Sequence, residues 1–168
     1  MKRRVLLTAV FIALLSLWAV AIPDLTVSGQ TGESPYVVKF SYAPAKIRKG
    51  DVWKIYLSVS DTEGNMTKVS YSIDEAGGKR YRPAFMYLKK GMEKEFTGYF
   101  ALHTAASRDL SGVEITLNLG ISDDKGNLKD FRFPLEFDGQ AINPLPPEME
   151  KELNRRIGII NIDLDIPD

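Results

Sequence analysis

His103 is the only histidine in the 168-residue sequence, and there is no cysteine. That pair of counts removes most side-chain chemistry at once. No disulfide framework, cysteine-liganded zinc or iron–sulfur site, thiol nucleophile or lipid-modified N-terminal cysteine can be built. A serine–histidine–acid triad would have to use His103, yet no Gly-x-Ser-x-Gly elbow accompanies it. Blue-copper ligation needs two histidines and a cysteine. Strand alternation places Leu102 inward and His103 outward, which suits a solvent-facing ring better than a general base or a metal ligand. Asp61, Glu63 and Asn65, and again Asp123, Asp124 and Asn127, offer oxygens to calcium. Each group supplies about three side chains where the ion takes about six to eight oxygens, so both read as turns. Asp163, Asp165 and Asp168 read as the wet side of a strand. Paired carboxylates can hydrolyse glycosides, but no acid here belongs to a recognisable constellation. No catalytic residue, metal ligand or cofactor is assigned, and a small carboxylate hydrolase is the least favoured function.

Binding chemistry is more visible. Between residues 79 and 94, Lys79, Arg80, Arg82, Lys89, Lys90 and Lys94 face one acid, Glu93, with Tyr81 and Tyr87 interleaved. Such a stretch could hold an anionic glycan, a phosphate-bearing surface or an acidic partner. The plainer reading is an edge strand whose lysines block pairing with other sheets. Tyr56 and Tyr99 fall on the outward side of their strands and, with Tyr81 and Tyr87, are candidates for a sugar-stacking platform.

The elements that would position these residues are strands. Trp53, Ile55, Leu57 and Val59 alternate with Lys54, Tyr56 and Ser58. The same period of two runs through Val38–Tyr42, Val69–Ile73, Phe96–Leu102, Val113–Ile121 and Phe131–Phe137, with a less regular strand near Tyr81–Leu88. One apolar face per strand means sheets covered on one side only. About seven short strands separated by turn signals predict an all-β, two-sheet sandwich over residues 36–138. Trp53 is the expected core anchor and needs a partner for its indole N–H. Pro134 predicts an edge or a bulge.

Two stretches echo each other at an offset of 62 residues: Leu57–Met66 and Leu119–Leu128. Both leave a strand through an Asp-x-x-Gly-Asn turn, in which Asp supplies an acceptor and Gly a positive φ. A Pro-x-x-Ile-x-x-Gly-Asp approach (Pro44, Ile47, Gly50, Asp51) precedes the first turn, and the Phe96–Phe100 strand lies between the two. With these motifs, residues 36–138 resemble the immunoglobulin-like or fibronectin-type-III-like domains of exported bacterial proteins. The resemblance implies a spacer, an adhesive module or an accessory binding module.

The ends of the chain add a compartment and a tail. Lys2, Arg3 and Arg4 precede an apolar run from Val5 to Ile22 that ends in Ala19-Val20-Ala21. This is the layout of a signal peptide over residues 1–21, the alternative being an uncleaved anchor to residue 22. Without that segment, the formal charge moves from zero to −3. The body is therefore expected outside the cytoplasm, periplasmic or extracellular, with residues 24–35 as a linker. After a second, proline-rich linker at 139–147, residues 148–168 read as a helix and then a strand. Met149, Leu153 and Ile157 form the helical stripe. Ile160, Ile162, Leu164 and Ile166 alternate with polar residues. That strand either completes a sheet edge in its own chain or adds to the sheet of a partner. The expectation is a non-enzymatic interaction or structural module that binds or positions another envelope protein. The alternative is a carbohydrate-binding module. No nucleic-acid partner is expected from this charge balance.

Overall fold

The computed structural model describes residues 35–137, 145, 151 and 153–165. Two sheets form an all-β sandwich. One holds β1 (Tyr36–Tyr42), β3 (Val52–Asp61), β6 (Glu95–His103) and β9 (Arg156–Ile160), in the order β1-β3-β6-β9. The other holds β2 (Lys46–Ile47), β4 (Met66–Glu75), β5 (Ala84–Tyr87), β7 (Glu114–Asp123) and β8 (Leu128–Phe137), in the order β2-β8-β7-β4-β5. Neighbours run antiparallel except β2 beside β8 and β9 beside β6. The alternating residues of β3 meet those of β4 and β7 between the sheets. Trp53, Ile55, Leu57, Ile73, Ile115 and Leu117 are fully buried there. Trp53 Nε1 donates to the Pro44 carbonyl at 2.8 Å, which satisfies the indole. Pro134 lies in β8 beyond the two residues that β2 covers, on the stretch of that strand without an outer neighbour.

The tail differs in register from the pattern in its sequence. Lys151 and Leu153 are helical, but Arg156 already belongs to a strand. Ile157, which spacing puts on the helical stripe, is instead in β9. The ladder ends at Ile160, so Ile162 and Leu164 lie past the strand, and Ile166 falls outside the described residues. Most of the expected helix and both linkers do too, as does the signal segment. The physical reason for the earlier strand is the partner it meets. Residues 156 to 160 pair in parallel with Tyr99–Leu102 of β6, and burial of Ile157 and Ile160 in the main core outweighs a short amphipathic helix.

Gly98 is what admits the tail. Tyr99 N–H donates to the Arg155 carbonyl at 2.9 Å. A Cβ at Gly98 would collide with that carbonyl and lie 2.9 Å from Ile157 Cδ1. Its φ of 153° also disfavours a side chain. Replacing Gly98 by Ala is therefore expected to destabilise the protein by about 1–3 kcal/mol, as overpacking does. Urea unfolding checks this, with Gly126→Ala, a turn position with open space around it, as the comparison for the backbone effect alone.

Candidate functional site

The basic stretch divides into a structural half and an exposed half. Lys79 pairs with Glu75 at 3.6 Å and Arg80 with Asp74 at 3.1 Å. Tyr81 is buried in the main core, although its place among basic residues suggested a surface ring. Its hydroxyl donates to Glu75 Oε2 at 2.8 Å. Arg108, from the β6–β7 loop, closes the cluster. It donates to the Tyr81 oxygen, to Glu75 Oε2 at 2.6 Å and, through Nε, to the Leu164 carbonyl at 2.7 Å. Its guanidinium carbon lies 5.8 Å from the centre of the Tyr81 ring. The hydrogen bond from Arg108 is the main cause that holds the Glu75 carboxyl down to about 2. Burial, first, raises the Tyr81 hydroxyl. Asp165 completes the fastening. Its Oδ1 accepts from Ser107 N at 2.7 Å, Ser107 Oγ at 3.0 Å and Arg108 N at 3.1 Å. Arg108 carries no signal in the sequence, because a lone arginine in a polar loop looks like any solvated cation.

The exposed half centres on β5, the outer strand of its sheet. Phe85 is 56% exposed and Tyr87 72%. Their rings meet edge to face at 5.5 Å, and Lys68 Nζ lies 5.7 Å from the Phe85 centroid. Arg82, Lys89 and Lys90 are exposed beside them. Leu88 N–H donates to the Thr67 carbonyl. By the alternation of an antiparallel ladder, the backbone groups of Phe85 and Tyr87 then point away from β4, along the sheet edge.

The other tyrosine pair is covered. Phe40, Tyr42, Tyr56 and Tyr99 run across the outer face of the four-stranded sheet with ring centres 6.4, 6.3 and 5.8 Å apart. Leu145 and Leu153 of the tail pack on this row and bury Tyr56, leaving Tyr99 half-buried under Lys54. Tyr56 and Tyr99 are therefore not laid open as a platform. Alternation gave their side of the sheet correctly, but it could not reveal that another segment covers that side.

The twin turns lie together at one end of the sandwich. Asp61 accepts from the backbone of Glu63 and Asn65, and Asp123 from that of Lys125 and Asn127. Asn65 Nδ2 donates to Asp124, and Lys125 Nζ contacts Glu63 at 2.6 Å. These oxygens serve the turns and tie one hairpin to the other. His103 is exposed at the end of β6, opposite Val52. Among the described residues no group of three or more His, Asp or Glu is arranged to hold a metal ion.

The solved structures similar to this chain include the following two. One is the solution NMR structure of a conjugate transposon protein from Bacteroides vulgatus, at 21% identity, covering 68% of this chain and 91% of that one, with a TM-score of 0.39. The other is the crystal structure of a CARDB domain in complex with di-metal ions from Pyrococcus furiosus, at 13% identity, covering 65% of this chain and 100% of that one, with a TM-score of 0.32. No protein-family model matches the chain, and no curated protein does.

The Glu75 cluster makes a pH prediction. The carboxyl ionises at about 2 in the folded protein against an ordinary 4.5. Its contribution is therefore present above about pH 4.5 and is lost as pH falls toward 2. With the Glu75 side chain only 8% exposed and that of Arg108 23%, Arg108→Ala should cost on the order of 3 kcal/mol at pH 7. Glu75→Gln should flatten the acid limb. Denaturant melts at pH 7, 4 and 2.5 read both effects.

Proposed function

We propose that the chain is an exported, non-enzymatic interaction module with an immunoglobulin-like fold, and that it holds another envelope protein along the β5 edge. The observation that carries this reading is the edge itself. Two exposed aromatic residues, Phe85 and Tyr87, stand on an outermost strand, and their own backbone groups face outward. Lys68, Lys89 and Lys90 surround it with positive charge, which favours a partner segment rich in acids and suppresses pairing with a second β5. The tail strand is already paired within its own chain, so β5 is the better place for a partner to add. The basic n-region, apolar run and Ala-x-Ala of residues 1–21 support export.

The reading is tested in cells with a photo-crosslinking residue at position 87, and at Thr116 on the same sheet as a control. Position 87 should yield one defined protein adduct, and Lys89→Glu with Lys90→Glu should reduce its yield about tenfold, the loss of roughly 1.4 kcal/mol. An identical adduct pattern from both positions, or none from position 87, would count against the β5 edge. Mass spectrometry of the exported chain should find Ile22 at its N-terminus. Unprocessed chain confined to the cytoplasm would remove the export half of the proposal.

A further inference from the structure

The solvent face of the five-stranded sheet carries a feature separate from its edge. Strand register sets Asp130, Gly120, Ser70 and Phe85 in one row, and Arg132, Asn118 and Ser72 in the next. A groove of about 380 Å³ lies between them, lined by Ser70, Ser72, Asn118, Asp130, Arg132 and Pro83 among others. A second groove of about 570 Å³ shares Ser72 and Pro83 with it and extends to Asp74 and Arg80. Gly120 lies at the floor and is itself buried. A Cβ there would lie 2.9 Å from Ser70 Oγ, 3.0 Å from Asp130 Oδ1 and 3.0 Å from Leu128 Cδ1, so the glycine lets these side chains close over it.

The polar groups along these grooves are linked to one another. Arg80 Nε meets Asp74 Oδ1 at 3.1 Å, Asn118 Nδ2 donates to Asp74 Oδ2 at 2.9 Å, and Arg132 Nε donates to Asn118 Oδ1 at 3.2 Å. This chain of planar groups crosses the sheet, and its half-buried centre, Asn118 on Asp74, is held before any ligand arrives, which lowers the ordering cost of binding there. Two acids, Asp74 and Asp130, balance two bases, Arg80 and Arg132, so the grooves favour neither polyanion nor polycation. A rigid carboxylate, amide and guanidinium side by side offer paired donors and acceptors at close spacing, with serine hydroxyls between them. Vicinal hydroxyl groups, each both donor and acceptor, complement that array. Adjacent strands are about 4.8 Å apart, so a row across four of them spans roughly 14 Å, the scale of several sugar rings. The Phe85 ring ends one row with an apolar face for sugar C–H groups. We propose that this face binds a neutral glycan chain, lying across the strands over Gly120 and Ser72.

Affinity electrophoresis of the full chain tests it, in native gels cast with xylan, hydroxyethylcellulose or galactomannan, and with polygalacturonate as the anionic control. Retardation is expected in at least one neutral polymer and not in polygalacturonate. Asn118→Ala and Arg132→Ala should each weaken it about tenfold. Ser72→Tyr, which fills the groove and removes no hydrogen bond among the described residues, should abolish it and covers the case in which a truncation unfolds the protein. The Lys89/Lys90 reversals should leave it unchanged, so failure of the β5 reading and failure of this one are distinguishable. The proposal is overturned by free migration in every neutral polymer, by retardation in polygalacturonate alone, or by retardation that Ser72→Tyr leaves intact.

Discussion

The Arg155 carbonyl reaches β6 at Gly98, the one position of that strand without a side chain. Much of the architecture follows from that contact. Without β9, β6 would expose its backbone along a sheet edge, directly over the core that Phe100 and Leu102 help to fill. Such an edge is an aggregation hazard. The chain meets it with its own C-terminal segment, which pairs with β6 and then leaves the ladder to place Leu164 in the main core. The seat is tight from two sides: a Cβ on Gly158 would meet the Met86 sulfur of the opposite sheet and lie 3.4 Å from Phe100 Cδ1. β9 therefore touches both layers, as a strand of one sheet and as a packing partner for Met86, which packs against the core from the other.

A protein without cysteine has no covalent clasp for such a tail. Polar chemistry takes that place. Arg108 joins Glu75 at the end of β4, Tyr81 in the β4–β5 loop and the Leu164 carbonyl in one cluster, while Asp165 gathers the backbone of Ser107 and Arg108. The carboxylate of Glu75 is tolerable in its buried position because a guanidinium and a phenol both donate to it. The same tail puts Leu145 and Leu153 on the aromatic row of the four-stranded sheet. The described aromatic rings left most open, Phe85 and Tyr87, are then on the five-stranded sheet, at its β5 edge.

What the sequence conveyed and what it hid divide along the distance between partners. Alternation gave the inward side of β3, β4, β6, β7 and β8, because a period of two is local and each strand has one wet face. Trp53 was legible as a core anchor for its size alone. The Asp-x-x-Gly-Asn turns were legible because an aspartate accepting from its own turn is a local event. Tyr81 was misplaced, since neighbours in sequence gave no hint of Glu75 and Arg108. Tyr56 and Tyr99 were assigned to the correct face, but their cover comes from residues 145 and 153. The tail strand began earlier than its Ile–Asp alternation suggested, because β6 supplies a partner from residue 99 onward and the alternating residues 162 and 164 have none. Gly98, Gly120 and Arg108 act only through groups far away in the chain.

The tail is expected to unfold together with the core that it helps to fill. Native-state hydrogen exchange of the whole chain measures this most directly. Amides of Tyr99, Ile157 and Ile160 should exchange with the same opening free energy as Leu117 in the middle of β7, and should lose protection together with it as urea is added. Free exchange in β9, with Tyr99 exposed at low cost while Leu117 stays protected, would contradict the account and make the tail an appendage on a sandwich that stands without it.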